Sequence, residues 1–179
     1  MSAQAILAGF RRAFNPIVNL LTAAAVLSLL PMMFLVAADV IGRYILNSPL
    51  PAAFEINSYF IMVAIVFFPL AYVQRHKEHV FITLFTERFS SRAKAGLEIF
   101  SLVIGFLAYG LIGVYSLERA IMATAVREYI SGIIDMPIWL SKWIIPIGCL
   151  VFCVELLLDA LERLPLALGR QDAAEVTHG

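Results

Sequence analysis

Residues 13–38, AFNPIVNLLTAAAVLSLLPMMFLVAA, carry no Asp, Glu, Lys, Arg or His between Arg12 and Asp39. A helix rising about 1.5 Å per residue needs about 20 apolar residues to cross a hydrocarbon layer about 30 Å thick, so this run reads as a membrane span. It is far longer than the roughly 7–15 apolar residues of a signal-peptide core, and it follows Arg11 and Arg12 without a small-residue cleavage site. It is expected in the mature chain.

The same gap recurs along the sequence. No Asp, Glu, Lys or Arg lies between Glu55 and Arg75, or between Glu98 and Glu118. A fourth apolar stretch, Met136 to Leu158, is interrupted by Lys142 and Glu155, near opposite ends where long side chains reach headgroups. The expected architecture is an all-α integral membrane protein forming one membrane domain over residues 1–179, with helices at about 16–41, 55–74, 96–117 and 137–159. Composition agrees: 61% of the 179 residues are hydrophobic and 15% charged, with a mean hydropathy of +0.89. Soluble domains are about 45–50% apolar, so lipid must solvate much of this chain. Thirteen basic residues against thirteen acidic ones give no sign of a nucleic-acid partner.

Basic residues collect on one side of these spans. Arg11, Arg12, Arg75, Lys77, Arg88, Arg92, Lys94, Arg163 and Arg170 fall on one side, and Arg43, Arg119, Arg127 and Lys142 on the other. Because cytoplasmic loops keep positive charge, both termini are expected in the cytoplasm, and a bacterial inner membrane is the expected location.

Between the spans, Phe81, Ile82, Leu84, Phe85 and Phe89 share one helical face while Thr83, Thr86, Glu87 and Ser90 share the other. This predicts an amphipathic helix at about 80–92 lying in the cytoplasmic lipid interface. Ile6, Leu7, Phe10 and Phe14 suggest a similar segment before the first span. A further helix along the outer surface is expected at about 118–135. Trp139 and Trp143, with Tyr129, are placed to anchor a membrane boundary. Ser101, Gly105 and Ala108 form a stripe suited to close helix packing, within the bundle or against a second subunit. Pro31 and Pro69 are expected to kink the first two spans.

The middle of every expected span lacks Asp, Glu, Lys, Arg and His. An independent antiporter needs a buried carboxylate there, and a haem protein needs histidines inside its helices. His76, His79 and His178 all fall outside the spans, and His76 and His79 lack a third strong metal ligand. Cys149 and Cys153 are one turn apart in the last span, where packing is their default role. No nucleophile paired with a base and no phosphate loop appears, so neither catalysis nor a metal or other cofactor is expected.

Charge gathers instead at the borders. Asp39 and Arg43 are one turn apart and Glu55 opens the next span, which predicts an outer polar cluster. On the inner side Glu155, Asp159 and Glu162 form an acidic stripe, with Arg75, His79, Lys77 and the N-terminal arginines beside it. Either cluster can fix helix registry or receive a partner.

These residues also carry a likeness. Asp39-Val-Ile-Gly-Arg43-Tyr44, Glu55, Arg75-His-Lys-Glu-His79-Val80, Pro137-Ile-Trp139 and Pro146-Ile-Gly148, in this order and spacing, resemble the small membrane subunit of tripartite ATP-independent periplasmic (TRAP) transporters, the DctQ-like family. The likeness covers about residues 15–160. The chain departs from the family pattern at Phe54, Lys77, Glu78 and Thr83. The resemblance implies a scaffold subunit beside a large, sodium-coupled membrane subunit, with a periplasmic substrate-binding protein delivering an organic acid. Substrate and sodium would then sit in the large partner. The competing readings are an independent small carrier or channel, and a membrane enzyme or redox subunit.

Overall fold

Inside lipid a backbone has only its own carbonyls to bond, so charge-free runs fold as helices. The computed structural model describes residues 3–48, 50, 53–76, 91–130 and 135–167. Four helical stretches among them are long and apolar enough to cross a membrane: Gly9–Ile45, Ala53–Arg75, Ile99–Ala125 and Ser141–Glu162. The chain is an all-α, multi-pass membrane protein.

The first helix, α1, is Ala3–Ile45. Sequence places its start near residue 16, with a separate interfacial segment before it. The structure instead runs one helix through both. Pro16 deletes a single backbone bond, and this is offset by Arg11, whose guanidinium bonds carboxylates more than 140 residues away. Pro31 likewise leaves α1 unbroken. The helix stops where Asn47 takes φ 50°, a left-handed conformation that asparagine tolerates. That turn brings the Ser48 amide to the Gly42 carbonyl at 3.0 Å. A Cβ on Gly42 would lie 2.8 Å from the Ser48 carbonyl oxygen, so only glycine fits there.

The second span is assembled from pieces: α2 (Ala53–Glu55), a π-helical segment (Ile56–Ile61), α3 (Met62–Phe67) and α4 (Leu70–Arg75). The gap at Phe68 and Pro69 follows from proline's missing N–H, and the Val73 amide restores the ladder by donating to the Pro69 carbonyl at 2.9 Å.

The third span belongs to α5 (Ser91–Ala125). Among the described residues of the segment expected as an outer-surface helix, about 118–135, no separate helix is seen. Residues 118–125 hold no glycine or proline and simply continue α5. Arg127 ends it with φ 48°, and Ile130 then pairs with Met136 in a short antiparallel bridge. One 3₁₀ turn, Ser141–Trp143, leads into α6 (Ile144–Ala167), which carries the fourth span. The interfacial helix expected at about 80–92, with Phe81, Leu84, Phe85 and Phe89, falls almost wholly outside the described residues.

Helix α6 is the hub. Half of its most apolar window is buried, against 6% in each of the other three spans. On one side Val18 of α1, Ala71 of α4 and Val151 of α6 pack together. On the other, Leu102 of α5 meets Phe152 and Leu156, and Tyr109 sets its ring edge-to-face on Phe152 with centroids 4.6 Å apart.

Small residues set the distances between these helices. A Cβ on Gly113 would lie 3.2 Å from Cys149, and one on Gly105 would lie 3.5 Å from Leu156. Of the expected Ser101–Gly105–Ala108 stripe, only Gly105 faces α6, while Ser101 and Ala108 are exposed. Within this chain the contact with α6 runs through Leu102 and Gly105, and Ser101 and Ala108 face outward. Closest of all is Gly148, where a Cβ would stand 2.7 Å from the Phe67 carbonyl oxygen. The broken second span therefore touches α6 backbone to backbone, just before Pro69.

Candidate functional site

Two polar sites lie at opposite ends of the bundle. At one end Glu155 and Asp159 are almost fully enclosed, with 0% and 2% exposure. Sequence places Glu155 near a boundary, within reach of headgroups, and in an acidic stripe with Arg75 and the N-terminal arginines beside it. The structure turns it inward, because two guanidiniums wait there.

Arg75, the last residue of α4, grips Glu155 with a two-bonded fork: its Nε is 3.1 Å from Oε1 and one terminal nitrogen 2.8 Å from Oε2. Arg11 arrives from α1. One of its terminal nitrogens lies 3.1 Å from Glu155 and 2.8 Å from Asp159, and the other 2.9 Å from Glu162. Gln74 completes the set by donating to Asp159 at 3.0 Å. Three helices are thereby tied at one knot, in a protein whose apolar faces gain little by leaving lipid for one another. Removing one partner of a buried ion pair strands the other charge, which costs about 3–5 kcal/mol.

Gln74 was not singled out from sequence, and its signal was slight: an amide at the end of an apolar run beside Arg75. His76 caps α4, with Nδ1 3.0 Å from the Tyr72 carbonyl and its ring 4.0 Å from the Tyr72 ring. His79, expected in this cluster, lies outside the described residues.

At the other end the Arg43 guanidinium donates to Asp39 at 2.7 Å, one helical turn away. The second Asp39 oxygen accepts the Leu50 amide at 3.1 Å and so holds the turn after α1. Glu55 opens the next span nearby. Among the described residues it makes no hydrogen bond or ion pair with Asp39 or Arg43. Two of the three expected members are joined by a hydrogen-bonded ion pair, and the third is not bonded to them.

The loop before α6 is tied down on the same side. The Trp143 indole N–H donates to the Thr124 hydroxyl at 3.0 Å, Lys142 pairs with Glu128, and the Trp139 amide bonds the Glu128 carbonyl at 3.3 Å. Trp143 is thus a bracket between α5 and α6 as well as a half-buried ring. Beneath it, Gly110 and Gly113 leave an almost wholly apolar groove of about 350 Å³ that reaches Cys149 and Cys153. It offers a solute almost no polar surface.

Residues 32–166 match the family model described as the DctQ component of tripartite ATP-independent periplasmic transporters. No curated protein and no solved structure matches at a significant level.

Proposed function

The chain belongs to the DctQ family of TRAP transporter components, and we propose that it is the small subunit that scaffolds the large, sodium-coupled membrane subunit during uptake of an organic acid. It sits in the bacterial inner membrane with both termini cytoplasmic. The observation that carries this reading is that both buried carboxylates, Glu155 and Asp159, already have partners within the chain. A translocation path needs polar groups open to a passing ion or solute. Here Glu155 and Asp159 are already held by Arg11, Arg75 and Gln74, and the knot joins three helices of one body. Such a knot stiffens a bundle.

In this reading sodium and substrate sites belong to the large partner. The end carrying Asp39, Arg43 and Glu55 is periplasmic and helps receive the substrate-binding protein.

The test is purification of the intact complex in mild detergent, followed by reconstitution with and without the large subunit. One-to-one co-purification, with no uptake by this chain alone, is expected. Sodium-dependent uptake by the chain alone would establish the independent carrier instead. Replacing Arg43 or Glu55 separates the outer roles. A lost complex marks a structural contact, whereas lost uptake with the complex intact marks engagement of the binding protein.

A further inference from the structure

We infer that the face of α1 bearing Arg12, Asn15, Asn19 and Ala23 is the docking surface for one membrane-spanning helix of the large subunit. This rests on the scaffold reading and adds to it the place of contact and the chemistry of the partner. The four residues lie along one side of α1, since steps of three, four and four keep to one helical face.

Asn19 is exposed, and among the described residues its side chain makes no hydrogen bond. Asn15, one turn earlier, lies at the edge of this face, with its Oδ1 covered by the chain's own packing. Depth makes this significant. Asn19 is about 10 Å along the helix from the middle of the charge-free run, inside a hydrocarbon half-layer of about 15 Å. Its neighbour Val18 packs on Ala71 and Val151, each four residues before a member of the Arg75–Glu155 pair. Asn19 therefore lies a turn deeper into the apolar region than the knot.

Acyl chains have nothing to offer an amide, so an amide at this depth is satisfied by another helix. Ala23, one turn further in and also exposed, leaves room for a backbone to come close. The charge pattern selects the occupant. In a two-fold pair of this chain, Arg12 would face the other copy's Arg12 two turns from the Asn19 contact, and like charges would meet. A different helix carries no such penalty. The complement is a span with an amide or hydroxyl side chain opposite Asn19 and an acidic side chain opposite Arg12.

The test uses the whole transporter, with Asn19 replaced by the photoreactive benzoylphenylalanine and membranes irradiated before solubilisation. A cross-link to the large subunit is expected. Asn19→Leu should lower recovery of the large subunit about threefold to tenfold, the worth of one interhelical hydrogen bond, and Asn19→Gln should restore much of it. Because Asn19 is exposed in the isolated chain, the melting temperature of the Leu variant alone should not move. Cross-links only to lipid or to a second copy, or unchanged recovery with Asn19→Leu, overturn this surface while the scaffold reading stands. If the unaltered chain fails to co-purify with the large subunit, both fall.

Discussion

Arg75 and Glu155, 80 residues apart in the chain, meet as a two-bonded fork with nitrogen–oxygen distances of 3.1 and 2.8 Å. Both sit where α4 and α6 converge, and Arg11 shares the same carboxylate from α1.

Glu155→Ala should destabilise the solubilised protein by about 3–5 kcal/mol, because it strands Arg75 in a closed environment. Removing both charges, as Arg75→Met with Glu155→Met, should cost less than the sum of the two single changes. Arg11 would keep Asp159 and Glu162 in that variant. Thermal unfolding in detergent checks the cycle, and strict additivity would show that the fork carries no coupling.

Gly148→Ala should destabilise by about 1–3 kcal/mol, since its methyl group would press on the Phe67 backbone. Gly110→Ala is the control. Nothing lies within 4 Å of its added methyl group, and a helix gains up to about 1 kcal/mol from the exchange. The two melting temperatures should move in opposite directions.

Arg43 is more than half exposed, so Arg43→Ala should change stability by less than about 1 kcal/mol. Asp39→Ala should do more, about 1–2 kcal/mol, because it also frees the Leu50 amide. Hydrogen exchange at that amide should rise in the Asp39 variant and stay slow in the Arg43 variant.

Trp143→Phe and Thr124→Val should each cost about 0.5–1.5 kcal/mol, and combining them should add little, because they break the same bond. Full additivity in thermal unfolding would mean that the indole acts only as a boundary ring.

Packing on α5 can be tested with leucine. Ser101→Leu and Ala108→Leu should be tolerated in the isolated chain, whereas Gly105→Leu should separate α5 from Leu156. Comparable losses at all three positions would restore the original stripe.

Sequence alone determined the solvent and the number of crossings. Charge-free runs such as 13–38 leave a backbone in lipid no choice but helix, and this is a local property that spacing reveals. It also marked Arg43, Asp39, Arg75, Glu155 and Asp159 as border charges, since ionisable groups stand out in apolar text. Which of them meet was decided only by the tertiary structure. Arg11 reaches Asp159 because α1 continues past Pro16, and Glu155 turns inward because α4 ends beside it, while Glu55 is not bonded to Arg43. The α5 contact through Leu102 and Gly105, and the backbone contact at Gly148, depend on the shape of the neighbouring helix. Hydropathy reports whether a residue can face lipid; which face turns to a neighbour is settled by packing and by the pairing of buried charges.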